Sequence, residues 1–511
     1  MYFLSAGLFT LLAVGLALLL WWRKRTFSYF KEIGIDGPTP NLICGNLWEY
    51  HRKGVTRALR SWCQKYGDIF GFYNGDVPTL VVRDLDFLEK VFIKDFQNFT
   101  NRGITQRTDE QHPLLSKGVL HSKGARWKNI RTSLAYGFTA TKFKQTGPAM
   151  KEVGDIFIGV LKDIAESGRE VPMLVPFQAL SMDYVGRAAF GFDSSFQHDT
   201  EHHFLKTAQA VLENVMTGPF HMIAQSTTSF GRLIKPVLRL SWRMGSYSFA
   251  EFAEQTKKVI ELRKDNPSLR RPDMLQNLLE TEIAADPESN SSLEGQATKR
   301  KLTAEEVAIN ATILFVGGFE TTSTTLSYLT FLIAKHPAVQ EKLREEVKSV
   351  IATHGTLDYS SVTKGLKYMS QVLDETMRIY PPVTTFTTRA TTKDFEYGGI
   401  KFKAGTSIMS PTWDIHTDPR YWHDPETFDP ERFSPENVRA HHPLAHQPFG
   451  IGPRNCVGMR MAQFNVMYTA ARMLENFRVE LGPTQKGVLN MGFYGMVSTP
   501  GKGPWIRFHK L

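Results

Sequence analysis

The chain of 511 residues is predicted to be mainly α-helical, with a minor β-sheet region and a transmembrane helix at its N-terminus. Apolar residues recur at helical spacing through most of the sequence, whereas strand-like runs are few and short. An uncharged segment near the first residue indicates the transmembrane helix. Hydrophobic residues make up 42% and charged residues 22% of the chain, which excludes disordered and collagen-like proteins.

The segment from Phe3 to Trp22 contains no charged residue over 20 positions, which is enough for a helix to span a hydrocarbon core. Trp21 and Trp22 suit the membrane interface, and the basic cluster 23–25 is expected on the cytoplasmic side. A cleaved signal peptide is the alternative, but no basic region precedes the apolar run and no clear cleavage site follows it. The sequence therefore predicts an anchor over 3–22, a basic and proline-rich linker over 23–45, and one domain over 46–511.

The domain is predicted to consist of helices interrupted by short strands, without an internal repeat. The predicted helices cover residues 142–166, 203–217, 249–264, 303–334, 337–353, 364–378 and 458–476. The predicted strands cover residues 69–73, 79–82, 385–390, 395–397 and 406–409. The segment 211–245 mixes basic and apolar residues, so it either dips into the membrane headgroups or forms a core helix with a solvated basic side.

The stretch 307–334 holds 28 residues and a single charge, Glu320, so a second membrane span has to be considered. Its many threonines and serines make it too polar for lipid, and a charge at mid-membrane costs at least about 2.5 kcal/mol. We predict instead a long helix buried inside the protein. Gly317 and Gly318 at its middle cost roughly 1–2 kcal/mol of helix stability, which close approach of another group would offset.

Charge and cysteine content narrow the class of protein further. Lys and Arg number 61 against 51 Asp and Glu, and the net charge of +10 favours anionic surfaces or acidic partners. The three cysteines, Cys44, Cys63 and Cys456, exclude a disulfide framework and a four-cysteine zinc site. Cys456 ends a glycine-rich loop just before a predicted helix, where backbone N–H groups favour a thiolate. A thiolate there could be a nucleophile or a metal ligand, and a buried inert cysteine is the alternative.

The loop Phe449-x-x-Gly452-x-Arg454-x-Cys456-x-Gly458 resembles the haem-binding loop of the cytochrome P-450 superfamily. Four further motifs of that family occur in its order: Trp127-x-x-x-Arg131, Gly318-Phe319-Glu320-Thr321-Thr322, Glu375-x-x-Arg378 and Pro430-Glu431-Arg432-Phe433. The resemblance covers roughly residues 35–511 and implies a single cytochrome P-450 fold of the microsomal type. Finer features resemble the animal clan that contains family 3 and thromboxane synthase.

The resemblance implies haem b as the cofactor, with Cys456 as the axial thiolate ligand of the iron. The other implied haem-binding residues are Arg454, Trp127, Arg131, Arg389, Phe449 and Gly458, and Arg102 is a weaker candidate. Thr321 and Glu320 are the implied catalytic pair, which would supply protons in a pocket that excludes bulk water.

Glu375, Arg378 and Arg432 are implied to form a buried structural network. By themselves, Glu375 and Arg378 could equally be a solvent-exposed pair three residues apart on a helix. The implied substrate pocket is apolar and includes Phe315, Val316, Val383, Phe386 and Phe493. Each of these apolar residues, taken alone, could also be ordinary core packing.

The implied activity is that of a membrane-anchored monooxygenase that uses O₂ to oxidise lipophilic small molecules of the xenobiotic, steroid or fatty-acid class. The chain has no nucleotide-binding fingerprint, so NADPH would act only through a partner, NADPH–cytochrome P-450 reductase, with cytochrome b5 as an additional candidate. Basic side chains that could dock such a partner, or form only a solvated face, are Lys123, Arg126, Lys128, Lys142 and Lys144. The expected location is the endoplasmic reticulum membrane, single-pass, with the domain on the cytoplasmic side, and no nucleic-acid partner is expected.

Two other functions remain open at the level of sequence. One is a haem-thiolate isomerase resembling thromboxane synthase, which rearranges peroxides without a reductase. The other is a catalytically silent haem-binding or sensor protein. The retained Glu320-Thr321 pair favours the monooxygenase, because an isomerase needs no proton relay to dioxygen.

Overall fold

The computed structural model describes residues 2–103, 114–191, 195–213, 218–234, 236, 240, 248–271, 273–284 and 299–511. Helices dominate this part of the chain and strands are short, as the sequence predicts. The α-helices are α1 Tyr2–Thr26, α2 Tyr29–Glu32, α3 Leu47–Arg52, α4 Val55–Tyr66, α5 Leu85–Glu89, α6 Gly124–Tyr136, α7 Ala140–Ser167, α8 Leu174–Phe190, α9 His203–Glu213, α10 Gly218–Ser226, α11 Ser248–Asp265, α12 Met274–Glu280, α13 Ala304–Lys335, α14 Pro337–His354, α15 Tyr359–Gly365, α16 Lys367–Ile379, α17 Thr412–His416 and α18 Met459–Asn476. The strands are β1 Ile69–Asn74, β2 Val77–Val82, β3 Val171–Pro172, β4 Glu282–Ala284, β5 Lys299–Lys301, β6 Thr388–Ala390, β7 Phe395–Tyr397, β8 Ile400–Phe402, β9 Ser407–Met409, β10 Phe477–Leu481, β11 Gly492–Tyr494, β12 Val497–Thr499 and β13 Trp505–Lys510.

The chain divides into two compact units, and the first comprises residues 1–112, 216–246 and 387–411. Its sheet has the order β1-β2-β9-β6, with β2 and β9 parallel and the other two pairs antiparallel. The turn between β1 and β2 contains Gly75 at φ 68°, a left-handed conformation that glycine adopts without strain. Trp62, Phe70 and Phe72 lie in the core that this sheet shares with α3 and α4.

Helix α1 extends through the whole predicted anchor and into the predicted linker. Apolar side chains along it are strongly exposed, including Phe9 at 73% and Leu11 at 72%. Among the residues that the structure describes, no helix combines the length and apolarity that crossing a membrane requires. Arg23 belongs to the basic cluster predicted on the cytoplasmic side of the membrane. It is buried within the protein, and its guanidinium donates to the carbonyl groups of Leu42 and Ser226 at 2.9 and 3.1 Å. A buried guanidinium is stable there because backbone oxygens replace water.

The second unit comprises residues 113–215, 247–386 and 412–511, and α13 is its central helix. Helices α8, α11 and α18 pack along α13. The start of α13 is set by a capping box, in which Thr303 and Glu306 satisfy each other's backbone N–H groups. The helix ends where Pro337 begins α14, because the residue before a proline is disfavoured in the helical conformation. A second sheet has the order β10-β13-β3, and both of its strand pairs are antiparallel.

Most predicted elements are confirmed within a few residues, above all the buried helix 303–334, which is α13. Helices α4 and α8 and the sheet formed by β10, β13 and β3 were absent from the prediction. In the segment 211–245, the described residues form the end of α9, α10 and a 3₁₀ helix over Thr228–Ile234. Residues 214–217, 235, 237–239 and 241–247 of that segment lie outside the described part.

Candidate functional site

The cysteine loop is a tight, glycine-dependent turn in front of α18. Gly450 and Gly452 have φ angles of 76° and 68°, which residues other than glycine rarely adopt. The backbone N–H of Cys456 donates to the carbonyl of Phe449 at 2.8 Å and closes the loop. Gly458 is the N-cap of α18, so Cys456 precedes the first helical residue by three positions. The side chain of Cys456 is exposed, whereas most of α18 behind it is buried.

Arg454 anchors this loop to the segment before α6. It is 4% exposed, and its guanidinium donates to the carbonyl of Ser122 at 2.7 Å. The same guanidinium lies over the indole ring of Trp127, 4.3 Å from the ring centroid, which is a cation–π contact. The conformation of the residue two positions before Cys456 is therefore fixed by α6 and the turn that precedes it.

Arg131 lies four residues after Trp127 and hence on the same face of α6. Its guanidinium donates to the side-chain oxygen of Asn455 at 2.8 Å. Burial lowers the pKa of Arg131, and the neighbouring Cys456 acts in the opposite direction. The structure thus brings Trp127, Arg131, Arg454 and Cys456 together, as the sequence resemblance implies.

One stripe of α13 is uncovered although the helix is otherwise largely buried. This stripe, called here the open face of α13, consists of Leu314, Gly317, Gly318 and Thr321, which follow the i, i+3, i+4, i+7 spacing of one helix face. A Cβ atom at Gly317 would meet nothing within 4 Å. A Cβ atom at Gly318 would lie 2.8 Å from the side chain of Val185 in α8. The predicted close approach therefore occurs at Gly318, whereas Gly317 lines open space.

The predicted pair Thr321 and Glu320 makes separate contacts. The hydroxyl of Thr321 donates to the carbonyl of Gly317 at 2.6 Å, a bond of the kind that loosens a helix locally. Glu320 is 4% exposed, and its carboxylate accepts a hydrogen bond from the amide of Gln178 in α8 at 2.9 Å. Gln178 accepts in turn from Gln209 in α9 at 2.8 Å. Sequence reasoning did not identify the two glutamines, because no motif marks them.

The predicted structural network is assembled around two completely buried side chains, Glu375 and Arg378. The guanidinium of Arg378 donates to both carboxylate oxygens of Glu375, at 2.6 and 2.8 Å. Arg432 pairs with the same carboxylate at 3.4 Å, and the backbone N–H of Asp429 donates to it at 3.0 Å. Arg378 also donates to the carbonyl of His416 at 2.8 Å. The pair is therefore the buried network that the resemblance implies, and the alternative of a solvent-exposed pair is wrong.

A second acidic group, Asp374, precedes this network on α16. Burial raises the pKa of the Asp374 carboxyl from 3.8 to about 7. The backbone carbonyl of the same residue accepts from the ring of His446, whose pKa is lowered by burial to about 3. The folded protein therefore destabilises the ionised form of Asp374 relative to the protonated form.

Replacing Asp374 with asparagine is expected to stabilise the protein at pH 8 by about 1–2 kcal/mol. Because the pKa is higher in the folded chain, the contribution of Asp374 to stability is fully present below pH 4 and is lost as the pH rises through 7. The advantage of Asp374→Asn should therefore shrink steadily as the pH is lowered toward 4, as measured by denaturant unfolding. A difference between Asp374→Asn and the wild type that does not vary with pH would refute the prediction.

Arg126, one of the predicted docking cations, belongs to an ion cluster around the buried carboxylate of Glu306. Its guanidinium pairs with Glu306 at 2.7 Å, and Arg300 pairs with the other oxygen of that carboxylate at 2.7 Å. Burial raises the pKa of Glu306, but the bonds from Arg300 and Thr303 and the charge of Arg126 outweigh it and lower the pKa to about 2. Lys123, Lys128 and Lys144 are exposed, and Lys142 is partly exposed.

Arg389 belongs to the first unit, on β6, and is 1% exposed. Its guanidinium donates to the carbonyl of Thr388 at 2.7 Å and lies 4.5 Å from the ring centroid of Phe92. Arg102, the weaker candidate, also belongs to this unit. The roles of Arg389 and Arg102 toward haem remain predictions.

The predicted pocket residues fall into two groups within the second unit. Phe315 and Val316 are buried, and Phe315 packs in an aromatic cluster with Phe204 and Phe252 at centroid distances of 5.2 Å. Val383 and Phe493 are partly exposed, and a β-bridge pairs Val383 with Val497 in the hairpin that carries Phe493. Phe386 is also partly exposed. Leu314, on the open face of α13, was not among the predicted residues.

The described residues fit the expected haem. They provide an exposed thiol at Cys456, a partly buried cation at Arg131 beside it, and a helix face at Gly317 that none of their own side chains fills. The indole N–H of Trp127 and the guanidinium of Arg131 suit anionic propionates. The carbonyl of Phe449 accepts from the Cys456 backbone, and a Cβ atom at Gly458, two residues after Cys456, would lie 3.5 Å from the ring of Phe138.

Comparison with known proteins gives a consistent result. A family model described as Cytochrome P450 matches residues 35–506. Cytochrome P450 3A14 of Cavia porcellus is 33% identical over 93% of this chain and 91% of its own length. Cytochrome P450 3A6 of Oryctolagus cuniculus is 32% identical over 96% and 95% of the two chains. Lithocholate 6-beta-hydroxylase of Mesocricetus auratus is 32% identical over 93% and 92%.

Proposed function

Because this chain belongs to the cytochrome P450 family and is a haem-containing monooxygenase of lipophilic substrates, we propose that it acts at a membrane with electrons from a partner reductase. The single observation that carries the site assignment is the arrangement around Cys456. Its exposed thiol lies in a loop that Arg454 ties to Trp127, next to the guanidinium of Arg131. We assign Cys456 as the axial ligand on that basis.

Haem with a thiolate ligand supplies the chemistry that reduces and splits dioxygen, because the thiolate donates electron density to the iron. Arg131 and Trp127 would hold the propionates through their N–H groups. Arg454 already donates to Ser122 and stacks on Trp127, so its main task is to orient the loop that carries Cys456. The Glu375–Arg378 pair with Arg432 keeps the segment around residue 429 in place.

The reaction consumes protons, and we assign their supply to Glu320 and Thr321. Thr321 lies on the open face of α13, and its hydroxyl can exchange its bond with Gly317 for a bond to water. Glu320 is buried one residue earlier and can replenish the proton. A positioned acid in a site that excludes bulk water typically contributes 10²–10⁴-fold to proton transfer.

Replacing Thr321 with alanine is expected to lower the product formed per NADPH consumed by about tenfold, since protons would arrive without control. The measurement compares NADPH oxidation and product formation in the reductase-reconstituted enzyme. Thr325→Ala is the matched control, because Thr325 makes the same type of bond, to the carbonyl of Thr321, from a buried position. If the Thr321→Ala variant forms as much product per NADPH as the wild type, Thr321 has no role in the proton path.

The strongly exposed apolar side chains of α1 support attachment to a membrane, and we propose that this is the endoplasmic reticulum membrane, with the domain on the cytoplasmic side. Burial of these side chains in lipid is favourable by about 25 cal/mol per Å² of apolar surface removed from water. Protease protection of the full chain in microsomes tests this arrangement. Digestion of the domain from the outside is expected, and its protection inside the vesicles would contradict the proposal.

The activity is tested by reconstitution with NADPH–cytochrome P-450 reductase, with and without cytochrome b5, and a panel of lipophilic substrates. Since one relative is named for the hydroxylation of lithocholate, bile acids and steroids come first in the panel. The expected product carries one oxygen atom from labelled O₂ and requires NADPH. Conversion of a fatty-acid endoperoxide without NADPH, in the absence of such a product, would favour the isomerase instead.

A further inference from the structure

A chain of two amide groups, Gln209 and the buried Gln178, leads from α9 to the carboxylate of Glu320. Gln209 donates to the side-chain oxygen of Gln178 at 2.8 Å, and Gln178 donates to Glu320 at 2.9 Å. Gln178 is 5% exposed and Glu320 is 4% exposed, so water does not substitute readily for the bond between them. The three side chains come from α8, α9 and α13, which are separate segments of the second unit.

The direction of these bonds follows from the chemistry of the groups. An ionised carboxylate can only accept hydrogen bonds, so it turns the nitrogen of the Gln178 amide toward itself. The oxygen of that amide then faces Gln209, which must donate. A buried polar group without a partner is unfavourable, and the chain is therefore oriented along its whole length by Glu320 at one end.

We propose that Gln178 and Gln209 are positioning residues that set the orientation of the Glu320 carboxyl and thereby control proton supply to the open face of α13. The inference rests on the proton role proposed above for Glu320. A glutamine suits this task because its amide offers a donor and an acceptor. It can donate to the carboxylate and, after turning over, accept from the protonated acid, so it supports both states that a proton donor passes through.

Gln209, the outer residue of the hydrogen-bonded chain, links the support of Glu320 to the position of α9. Gln209 is partly exposed on α9, and α9 packs against α11 and α13. Phe204, five residues earlier on the same helix, packs against Phe315 of α13 at a centroid distance of 5.2 Å. A shift of α9 relative to α8 would first alter the Gln209–Gln178 bond and then the support of Glu320. Proton supply would then depend on the position of α9.

The test replaces Gln178 with leucine in the full-length holoenzyme. We expect about a tenfold fall in product per NADPH and a larger solvent isotope effect, with an unchanged haem spectrum. A readout independent of turnover is the infrared carboxylate band of Glu320 in the resting oxidised enzyme, assigned by its loss in Glu320→Gln. This band is expected to shift in Gln178→Leu, because the carboxylate loses a donor.

Gln197→Leu is the matched control. Gln197 is also buried in the second unit, at 8% exposure, but it donates to Asp183 and to the carbonyl of Val153. It should lower stability without changing coupling or the Glu320 band. Gln209→Leu removes only the outer bond and should change both readouts in the same direction as Gln178→Leu, but less. If Gln178→Leu does not fold, Gln209→Leu tests the inference by the same two readouts.

The outcomes separate this inference from the proposed function. If Glu320→Gln uncouples the enzyme but neither glutamine variant alters coupling or the infrared band, the positioning chain is refuted and the role of Glu320 stands. If Glu320→Gln itself leaves the product per NADPH unchanged, the proposed proton role of Glu320 is refuted, and the inference is refuted with it. The double variant Gln178→Leu/Glu320→Gln should be no less coupled than Glu320→Gln, because both changes act through one carboxyl. An additive loss would contradict the inference.

Discussion

Replacing Cys456 with serine is expected to abolish the spectrum of thiolate-ligated haem and to reduce NADPH-dependent oxidation of substrate to background. A serine hydroxyl is a far poorer donor of electron density than a thiolate, and this donation is what favours cleavage of the O–O bond. The loop should survive the change, because the bonds that shape it come from the Cys456 backbone N–H, the Arg454 guanidinium and the side chain of Asn455. The measurement is the absorption spectrum and haem content of the purified oxidised protein.

Cys44→Ser is the matched control for this experiment. Cys44 is partly buried in the first unit and has no assigned role. It should leave the spectrum and the haem content as in the wild type. A thiolate-type spectrum that persists in Cys456→Ser would show that another residue ligates the iron, and the assignment of the site would be lost.

The second large effect is expected at Arg378. Replacing it with methionine should destabilise the protein by about 3–5 kcal/mol, because the Glu375 carboxylate would remain buried without its main partner. Both side chains are 0% exposed, so water cannot take the place of the guanidinium. Arg378 also donates to the carbonyls of His416 and Pro425, which would lose these bonds as well. The measurement is the free energy of unfolding by denaturant, together with haem retention.

Lys151→Met provides the comparison. Lys151 pairs with Asp155 on α7 at 3.8 Å, and both side chains are about half exposed. Loss of such a surface pair is expected to cost less than about 1 kcal/mol. The double variant Glu375→Leu/Arg378→Met should lose less stability than the sum of its two single variants, since neither the Glu375 carboxylate nor the Arg378 guanidinium is then left buried without the other. A cost for Arg378→Met similar to that of Lys151→Met would show that the pair is not the structural centre described above.

Much of the candidate site could be predicted because its residues are close in sequence. The cysteine loop, the Trp127–Arg131 spacing and the Glu375–Arg378 spacing each depend on one local element, and the structure places each of them as expected. The buried helix around Gly317 could also be predicted, since a long run with one charge and many hydroxyl groups suits the interior of a protein better than lipid.

The parts that escaped prediction depend on contacts between distant segments. No sequence pattern near Gln178 or Gln209 predicts a hydrogen bond to Glu320, which lies 142 residues beyond Gln178. Arg126 looked like a free surface cation because Glu306 is 180 residues away. The burial of Arg23 likewise could not be predicted, because one of its partner carbonyls belongs to Ser226, 203 residues later. Local patterns identify the type of residue, whereas long-range packing decides which charges are buried.

The most direct test of the central claim is the carbon monoxide difference spectrum of the reduced wild-type protein. It reports at once whether haem is bound and whether a thiolate is its axial ligand. The assignment of Cys456 predicts the long-wavelength Soret band that is characteristic of thiolate ligation, and its disappearance in Cys456→Ser. A haem spectrum typical of histidine ligation in the wild type, or no haem spectrum at all, would contradict the account.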